Sequence, residues 1–391
     1  MTEKEAVQSW QTRWIHRGVW SVLIAASVLV LLHKPDQNFL IDFGANWSAA
    51  RLLWAGENPF DAAALLANQR AAGWDISVSV VPWNPPWTLA MMVPFALLPF
   101  KYAQWFWLAL NCLLVIFVSD FWWKTFGGSR EHRMASWLAA IWYFPCVVAV
   151  YFGQMSLIVL AGITGIAWSL RRGRPEWLGI FVFLASVKPH LLLPMWMFLL
   201  FWLVRGRHWK VLAWAGSGIA VAGFSVMLLR PNVYLDYVSA AGSTNSPVIW
   251  ATPTIGTVLR VAFAGMPKWI AFVPSLCGLL LSLALWWKWK NDFDWERRLE
   301  MILLLSLVSA SYAWIFDWVL LLPVVLRVLV WFQSNPAVQY PALLGLIAVM
   351  TAFVWVQARG WFPLGVVWFP GGLAAVFGWA RWRQDRLGVP T

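Results

Sequence analysis

The feature that most constrains this chain is a succession of long apolar runs, separated by short segments that carry most of the charge. An α-helix needs about 20 apolar residues to cross the hydrocarbon core of a bilayer, and runs approaching this length recur along the chain. Hydrophobic residues fill 61% of the 391 positions, which leaves little sequence for a water-soluble domain. The pattern predicts an all-α polytopic integral membrane protein, a single membrane-embedded domain over residues 1–391 with about 12 transmembrane helices. The predicted spans lie near residues 14–33, 102–123, 134–152, 154–171, 176–188, 190–205, 210–230, 269–290, 299–311, 313–330, 339–357 and 362–381.

The basic residues are distributed as expected for a membrane protein that is oriented by its charge. The formal net charge is +12, and most of the 29 Lys and Arg residues lie in short clusters between the predicted spans. Cytoplasmic loops carry an excess of such residues, so the distribution predicts that both termini are cytoplasmic. It favours a role in topology over one in binding nucleic acid, and we predict no nucleic-acid partner.

This orientation predicts two long loops outside the membrane, at residues 34–101 and 231–268. It requires that the apolar segment 83–100 does not cross the bilayer. Prolines interrupt the backbone hydrogen bonding of that segment, so we predict a half-membrane or interfacial element there. The prolines are Pro85, Pro86, Pro94 and Pro99. The two outer loops are the expected walls of a functional site.

The first outer loop opens with an acidic stretch, LIDFGANWSAARLLWAGENPFD, at residues 40–61. Apolar and small residues follow Asp42 at helical spacing, and Gly56 stands where a helix would end. The stretch predicts an interfacial helix with Asp42 at or near its N-terminus. Two interpretations of Asp42 remain open from the spacing. It is either a carboxylate that caps the helix or stabilises the helix dipole, or a general base that faces a membrane-embedded cavity.

Basic side chains near the outer ends of other spans are candidates for binding an anionic group. Lys188 and His190 flank Pro189 in the stretch SVKPHLL. A lysine in this position either faces a phosphate in a polar cavity or extends to the lipid headgroups. Arg260 closes the stretch PTIGTVLR, where its planar guanidinium suits phosphate oxygens or an anionic lipid.

Asp317 is a carboxylate within a predicted span, in the stretch SYAWIFDWVLLLP. An acid inside the membrane is a functional candidate, because burying its charge without a partner is costly. The structural alternatives are an ion pair with Arg327 or Arg260, and a hydrogen bond from Tyr312 or Trp314. The functional and structural interpretations both remain open.

Polar and aromatic residues beside the loops complete the candidates. Gln154 follows Gly153 at a tight turn between two predicted spans, where it either binds substrate or caps a helix. Trp83 and Trp87 flank a double proline, and their rings are suited to contact a sugar or a lipid. The sequence has no Gly-rich phosphate loop, HExxH motif or Cys/His cluster, so we predict no metal site and no cofactor.

An ordered set of stretches carries a family resemblance between about residue 40 and residue 325. The stretches are DFGANWSAARLLWAGENPFD, WNPPWTLAMMVPFALLP, YFGQMSLIVL, ASVKPHLLLP, PTIGTVLR and SYAWIFDWVLLLP. Together they resemble glycosyltransferase family 87, whose members take a sugar from a polyprenyl phosphate. The chain departs from the family at Asn84, where an aromatic residue usually precedes the double proline.

The resemblance implies a GT-C-fold, inverting glycosyltransferase with a polyprenyl-phosphate-sugar donor, mannose as the expected sugar, and a lipid or glycan acceptor. Asp42 matches the family's catalytic acidic position, and one base suffices for a single displacement. For the leaving phosphate, the predicted topology offers Lys188, His190 and Arg260. The candidates for binding substrate are Asp317, Gln154, Trp83, Asn84 and Trp87.

The resemblance also indicates a bacterial plasma membrane, an active site on the extracytoplasmic side and contacts with membrane lipids. It leaves the oligomeric state and any divalent-metal requirement open. Two other classes share this composition: a transporter or flippase of lipid-linked sugars, and a polyprenyl-linked glycan polymerase or ligase. A transporter should contain related halves, and no second NPP-like segment occurs in the latter half of the chain. Polymerases and ligases usually place the long outer loop late in the chain, so its early position favours GT-C transfer.

Overall fold

The computed structural model describes residues 39–242, 250–360 and 363–386. The chain divides into two units, Met1–Phe39 and Leu40–Thr391, and the second holds nearly all of the described residues. These residues form α-helices and short 3₁₀ turns with no β-strand among them, as expected for an all-α protein. The predicted span near residues 14–33 lies outside the described residues.

The α-helices are numbered here in chain order within the described residues. They are α1 Ile41–Trp54, α2 Ala62–Ala71, α3 Thr88–Ala96, α4 Phe100–Thr125, α5 Arg133–Trp142, α6 Phe144–Phe152, α7 Ser156–Arg172, α8 Leu178–Ala185, α9 Leu193–Arg205, α10 Trp209–Leu229, α11 Val233–Ala241, α12 Ile255–Ala262, α13 Val273–Trp289, α14 Trp295–Val308, α15 Leu322–Ser334, α16 Pro336–Ala358 and α17 Phe369–Arg386. The 3₁₀ segments are Pro175–Trp177, Pro189–Leu192, Lys268–Phe272, Ile315–Leu321 and Leu364–Val366.

The helices are those of a multi-pass membrane protein. Within the described residues, 6 helical segments are long and apolar enough to cross a membrane, and the number rises to 8 if two bent pairs each form one span. One bent pair is α5 with α6, at 68°, and the other joins the α8 and α9 segments at 117°. The six segments are Phe100–Thr125, Trp209–Leu229, Lys268–Trp289, Ile315–Ser334, Val338–Ala358 and Leu364–Arg386.

The described residues do not reach the predicted number of about twelve spans, for two physical reasons. The segments 176–188 and 190–205, predicted as two spans, form the pair bent by 117°. Pro189 lacks a backbone donor and forces Lys188 out of the helical region, to φ −129° and ψ 71°. The runs near 154–171 and 299–311 form helices of only 17 and 14 residues, α7 and α14.

The proline-rich segment 83–100 contains only the short helix α3. Its 9 residues extend about 14 Å, roughly half of the hydrocarbon thickness. Trp47 on α1 holds the end of this segment, because its indole Nε1 donates hydrogen bonds to the backbone oxygens of Phe95 and Leu98 at 3.1 and 3.2 Å. The segment is therefore fixed against α1.

The helix α1 differs from the interfacial helix that the sequence predicts. Every residue from Phe43 to Ala50 is buried, so neighbouring elements cover the helix all round. The ring of Phe43 stacks on those of Phe100 and Trp107, at centroid distances of 6.1 and 5.2 Å. Pairs of this kind contribute about 0.5–1.5 kcal/mol beyond their buried area. The contacts fix the position of the N-terminal turn of α1, which carries Asp42.

The turn between α6 and α7 packs directly against the start of α1. The backbone N–H of Leu40 donates to the oxygen of Tyr151 at 2.9 Å, and the indole of Trp107 donates to the oxygen of Gly153 at 2.9 Å. Gly153 has φ +67°, and a Cβ at this position would lie 2.8 Å from the Cβ of Phe43. Only glycine permits both this backbone conformation and this close approach.

We predict that Gly153→Ala destabilises the protein more than Gly173→Ala does. Both glycines have positive φ, +67° and +60°, so both variants carry the same backbone strain. A Cβ at Gly173 meets nothing within 4 Å, whereas one at Gly153 collides with α1. The collision should add about 1–3 kcal/mol, measured as a larger fall in the thermal unfolding midpoint in detergent. Equal losses in the two variants would show that the turn does not depend on close packing against α1.

Candidate active site

Asp42 is not the capping residue of α1, but it lies in the first turn, where a carboxylate stabilises the helix dipole. The capping position is held by Leu40, which has a left-handed backbone conformation and makes no side-chain capping bond. One carboxylate oxygen of Asp42, Oδ2, accepts a hydrogen bond of 2.5 Å from Nε2 of Gln154. Within the described part of the chain, the other oxygen, Oδ1, has no hydrogen-bond partner. Asp42 as a whole is half-buried.

Lys188 fixes the orientation of the Gln154 amide. Its Nζ donates hydrogen bonds to Oε1 of Gln154 at 2.9 Å, to Oγ of Ser156 at 3.0 Å and to Oδ1 of Asp317 at 2.7 Å. An ammonium has three donors and no acceptor, so all of its hydrogens are used. Because Lys188 cannot accept a hydrogen bond, the oxygen of Gln154 must face it. The amide nitrogen is thereby directed at Asp42.

Asp317 anchors Lys188 at the buried end of this network. Asp317 is 1% exposed and Lys188 is 7% exposed. The two oxygens of Asp317 also accept hydrogen bonds from Oγ of Ser156 at 2.6 Å and from the backbone N–H of Trp314 at 2.8 Å. A buried carboxylate with three hydrogen-bond donors, one of them a cation, is well satisfied.

The ionic partner of Asp317 is Lys188, and neither Arg327 nor Arg260 fills this place. Arg327 pairs instead with Glu300, at 2.7 Å. The donor from Trp314 is its backbone N–H, while its indole donates to the hydroxyl of Tyr312 at 2.7 Å. Lys188 and Asp317 are 129 positions apart, and no pattern in the sequence pairs residues at that separation.

Burial of its carboxyl raises the pKa of Asp42 from an ordinary value of 3.8 to about 6. The positive charge of Lys188 and the hydrogen bond from Gln154 oppose the rise, whereas the negative charge of Asp317 adds to it. A carboxyl with a pKa near 6 is ionised at neutral pH and is a stronger base than an exposed aspartate. The site therefore holds a carboxylate suited to accepting a proton.

His190 and Arg260, the other predicted phosphate ligands, lie on elements that pack around residues 311–314. The ring of His190 lies against that of Tyr312, at a centroid distance of 5.7 Å, and its buried Nε2 has no hydrogen-bond partner in the described residues. The guanidinium of Arg260 donates to the backbone oxygen of Trp250 at 2.7 Å. The α12 helix that carries Arg260 is joined to this region by a hydrogen bond from Thr254 to the oxygen of Ser311, at 3.0 Å.

The predicted residues beside the double proline, Trp83, Asn84 and Trp87, are half-buried. Each makes a hydrogen bond to a different helix or turn near the Asp42 network. Asn84 donates to Oδ1 of Asn46, one turn along α1 from Asp42, at 3.3 Å. The indole of Trp87 donates to the oxygen of Ser186 at 3.2 Å, in the bend that carries Lys188. The backbone oxygen of Trp83 accepts a hydrogen bond of 3.1 Å from the hydroxyl of Tyr237 on α11.

The sequence analysis missed Ser156, the residue that links Lys188 to Asp317. Its hydroxyl accepts from Lys188 and donates to Asp317, so it bridges the ion pair. The signal in the sequence was its position two residues after Gln154, at the start of α7. A second missed contact is Phe316, whose ring centroid lies 4.7 Å from Nζ of Lys188.

Across the described residues, no group of three or more His, Cys, Asp and Glu side chains has the arrangement of a metal site. The network consists instead of one ion pair, one carboxylate with an oxygen that has no partner among the described residues, and neutral hydrogen-bonding groups. It can accept a proton through Asp42, while hydrogen bonds hold Lys188 and Asp317 in place.

Comparison with known proteins identifies the family. Residues 83–316 match the sequence model of glycosyltransferase family 87, more than half of the 391 residues. The chain belongs to glycosyltransferase family 87. The family match includes Gln154, Ser156 and Lys188 and ends one residue before Asp317, whereas Asp42 precedes it. Asp42 is joined to the family region by the hydrogen bond from Gln154, and the start of α1 is held there by the contacts of Phe43 and Leu40. No curated protein and no solved structure matches the chain.

We predict that Asp317→Leu destabilises the protein by about 3–5 kcal/mol, because it leaves the buried Lys188 ammonium without its counter-charge. The double variant Lys188→Met with Asp317→Leu removes both charges and should recover much of this loss. Unfolding midpoints of the wild type, both single variants and the double variant provide the cycle that measures the coupling. Additive losses would show that the two side chains do not stabilise each other.

Proposed function

We propose that this member of glycosyltransferase family 87 is a GT-C-fold, inverting enzyme. It moves a sugar, in the first instance mannose, from a polyprenyl-phosphate donor to a lipid or glycan acceptor. The family supports transfer of a sugar, and the observation that carries the mechanism is the environment of Asp42. One of its oxygens is fixed by Gln154, and its pKa is raised to about 6.

In the proposed reaction, Oδ1 of Asp42 accepts the proton of an acceptor hydroxyl. The hydroxyl oxygen forms a bond to the anomeric carbon as the bond from that carbon to the phosphate oxygen breaks. The electron pair of the broken bond leaves with the polyprenyl phosphate, and Asp42 holds the proton. A single displacement inverts the anomeric centre, and it needs one carboxylate rather than the catalytic pair of a glycosidase.

The donor phosphate is proposed to lie near His190, Arg260 and Lys188. Nε2 of His190 is buried without a partner in the described residues, which is the condition in which binding a phosphate oxygen removes a desolvation penalty. Arg260 offers a planar guanidinium. Lys188 contributes its charge, since its three hydrogens are held by protein acceptors.

The half-buried Trp83, Asn84 and Trp87 are proposed to contact the acceptor or the donor lipid. The indole N–H of Trp87 is used by Ser186, so its ring face is the part available for stacking on a sugar or isoprenoid. Asp317 and Gln154 are proposed to act on the substrate through Asp42 and Lys188. The isoprenoid tail would supply much of the binding energy, because it is the largest apolar part of the donor.

We further propose that the protein is a single catalytic domain in a bacterial plasma membrane, with both termini cytoplasmic and the site on the extracytoplasmic side. The charges support this orientation. Asp42 lies near the starts of α4 and α7, whereas Lys124, Arg171 and Arg172 lie at the opposite ends of the same helices. An excess of basic residues is typical of cytoplasmic loops.

Asp42→Asn should lower the rate of sugar transfer by about 10²–10⁴-fold, because the amide cannot accept the proton. Donor binding should remain, since Asn keeps the size of the side chain. Transfer of radiolabelled sugar from a panel of short-chain polyprenyl-phosphate sugars, mannose first, measures the rate with the purified protein in nanodiscs. The matched control is Asp61→Asn in the same loop, because Asp61 caps α2 and asparagine caps equally well.

Two results would contradict the proposal. Transfer by Asp42→Asn at the wild-type rate would remove Asp42 from the reaction. Failure of the folded wild-type protein to use any donor in the panel would contradict the polyprenyl-phosphate donor class.

The rate of transfer should fall as the pH drops below about 6, because Asp42 is protonated below its pKa. Gln154→Leu should move this midpoint to higher pH, since it removes a hydrogen bond that lowers the pKa of Asp42. The measurement is kcat/KM for transfer between pH 4.5 and pH 8, with Asp61→Asn as the reference variant. An unchanged midpoint in Gln154→Leu would show that the titrating group is not Asp42.

A further inference from the structure

A cavity of about 530 Å³ lies at the other end of the helices from Asp42. It is bordered by the last turns of α4, α7 and α15 together with the start of α14. Ser156, in the Asp42 network, begins α7, and Arg171, at the cavity, is in its last turn. The helix rise places about 22 Å between them. The cavity is therefore separate from the proposed catalytic site.

The inner part of the cavity is apolar. Ile163, Ile166 and Val330 contribute to its wall. Along α7, the distance from Ile163 to Arg171 at the mouth is about 12 Å. Trp122 also lines the cavity, but its indole N–H is already bonded to the hydroxyl of Thr164, at 2.9 Å. This part of the cavity offers surface for a hydrocarbon chain and none for a charged group.

The mouth of the cavity carries both signs of charge. Arg171 pairs with Glu296 at 2.9 Å. Arg327 also lines the cavity and pairs at 2.7 Å with Glu300, a buried residue that does not line it. Asp294 also lines the cavity, and both it and Glu296 are exposed. A purely anionic headgroup would meet these carboxylates as well as the arginines. A headgroup with one negative and one positive group would match both.

Two residues that line the cavity each carry a buried polar atom with no hydrogen-bond partner within the described part of the chain. One atom is Oε1 of Gln384, an acceptor on a side chain that is 1% exposed, and the other is Nε1 of Trp295, a donor. A ligand that satisfies them must supply both a hydrogen-bond donor and an acceptor, since leaving either buried atom unpaired costs about 1–3 kcal/mol.

A groove beside the cavity offers a route from the lipid. It shares Thr125 and Arg171 with the cavity. Its other lining residues are three aromatic ones, Phe117, Phe121 and Trp168, and two basic ones, Lys124 and Arg172. Phe117 is 62% exposed, so the groove opens on the outer surface of α4. In a membrane-spanning helix, such an apolar surface is in contact with lipid.

We propose that the cavity binds a membrane aminophospholipid, a lipid whose headgroup carries a phosphate and a primary ammonium. The phosphate accepts hydrogen bonds from Trp295 and Arg171. The ammonium donates to Gln384 and to the carboxylates at the mouth. One hydrocarbon chain occupies the apolar part between α7 and α15. A choline headgroup fits less well, because its quaternary ammonium has no hydrogen to donate.

Native mass spectrometry of the delipidated full-length protein tests the proposal with three lipids of identical chains: phosphatidylethanolamine, phosphatidylcholine and phosphatidylglycerol. Phosphatidylethanolamine should bind most tightly. Gln384→Leu should weaken its binding by roughly tenfold, the effect of losing one hydrogen bond to a charged group. The matched control is Gln339→Leu, since Gln339 is also buried with an unpartnered Oε1 but does not line the cavity.

Equal binding of the three lipids, or tightest binding of phosphatidylglycerol, would overturn the proposal. So would unchanged binding in a Gln384→Leu protein that elutes as the wild type does in size exclusion. The measurement reports lipid binding alone, so its outcome does not depend on whether Asp42 takes part in sugar transfer.

Discussion

The candidate site depends on one buried hydrogen bond, from the Lys188 ammonium to the oxygen of Gln154. Since an ammonium only donates, this bond decides which end of the amide faces Asp42. Asp317 pairs with Lys188 and holds it in place, and Ser156 bridges the two. Without the ion pair, the amide of Gln154 would be free to rotate and turn its oxygen toward Asp42. The amide oxygen and the carboxylate oxygen are both acceptors, so they form no hydrogen bond with each other. The Asp42 carboxylate is therefore oriented through groups that it does not touch.

The fold brings these residues together by interrupting helices where polar groups are needed. Gly153 allows the turn that carries Gln154 to pack against α1. Pro189 interrupts the helix, and the side chain of Lys188 at this interruption is buried. Asp317 lies in a 3₁₀ segment, where its carboxylate reaches back to the N–H of Trp314. Irregular backbone inside a membrane protein is stable only where protein groups satisfy it, and here those groups form the site.

The sequence predicted the helical class and most of the polar residues of the candidate site. A charged or amide group beside an apolar run has a high desolvation cost, so its presence indicates a polar partner or a ligand. It could not join Asp42 to Gln154 or Lys188 to Asp317, since those pairs are 112 and 129 positions apart. Ser156 was not predicted, because burying a serine in an apolar run has only a small desolvation cost and such serines are common. The short helices α7 and α14 were predicted as spans because hydropathy does not fix where a helix ends.

A cryo-electron microscopy structure with an unreactive donor analogue, a polyprenyl phosphonate bearing the sugar through carbon, tests the central claim most directly. We predict that the anomeric carbon lies close enough to Oδ1 of Asp42 for a single acceptor hydroxyl to fit between them. Gln154 should still be bonded to Oδ2, and the phosphonate should lie beside His190 and Arg260. A sugar bound elsewhere, for example among the aromatic residues near Arg171, would contradict the central claim, as would an anomeric carbon out of reach of Asp42.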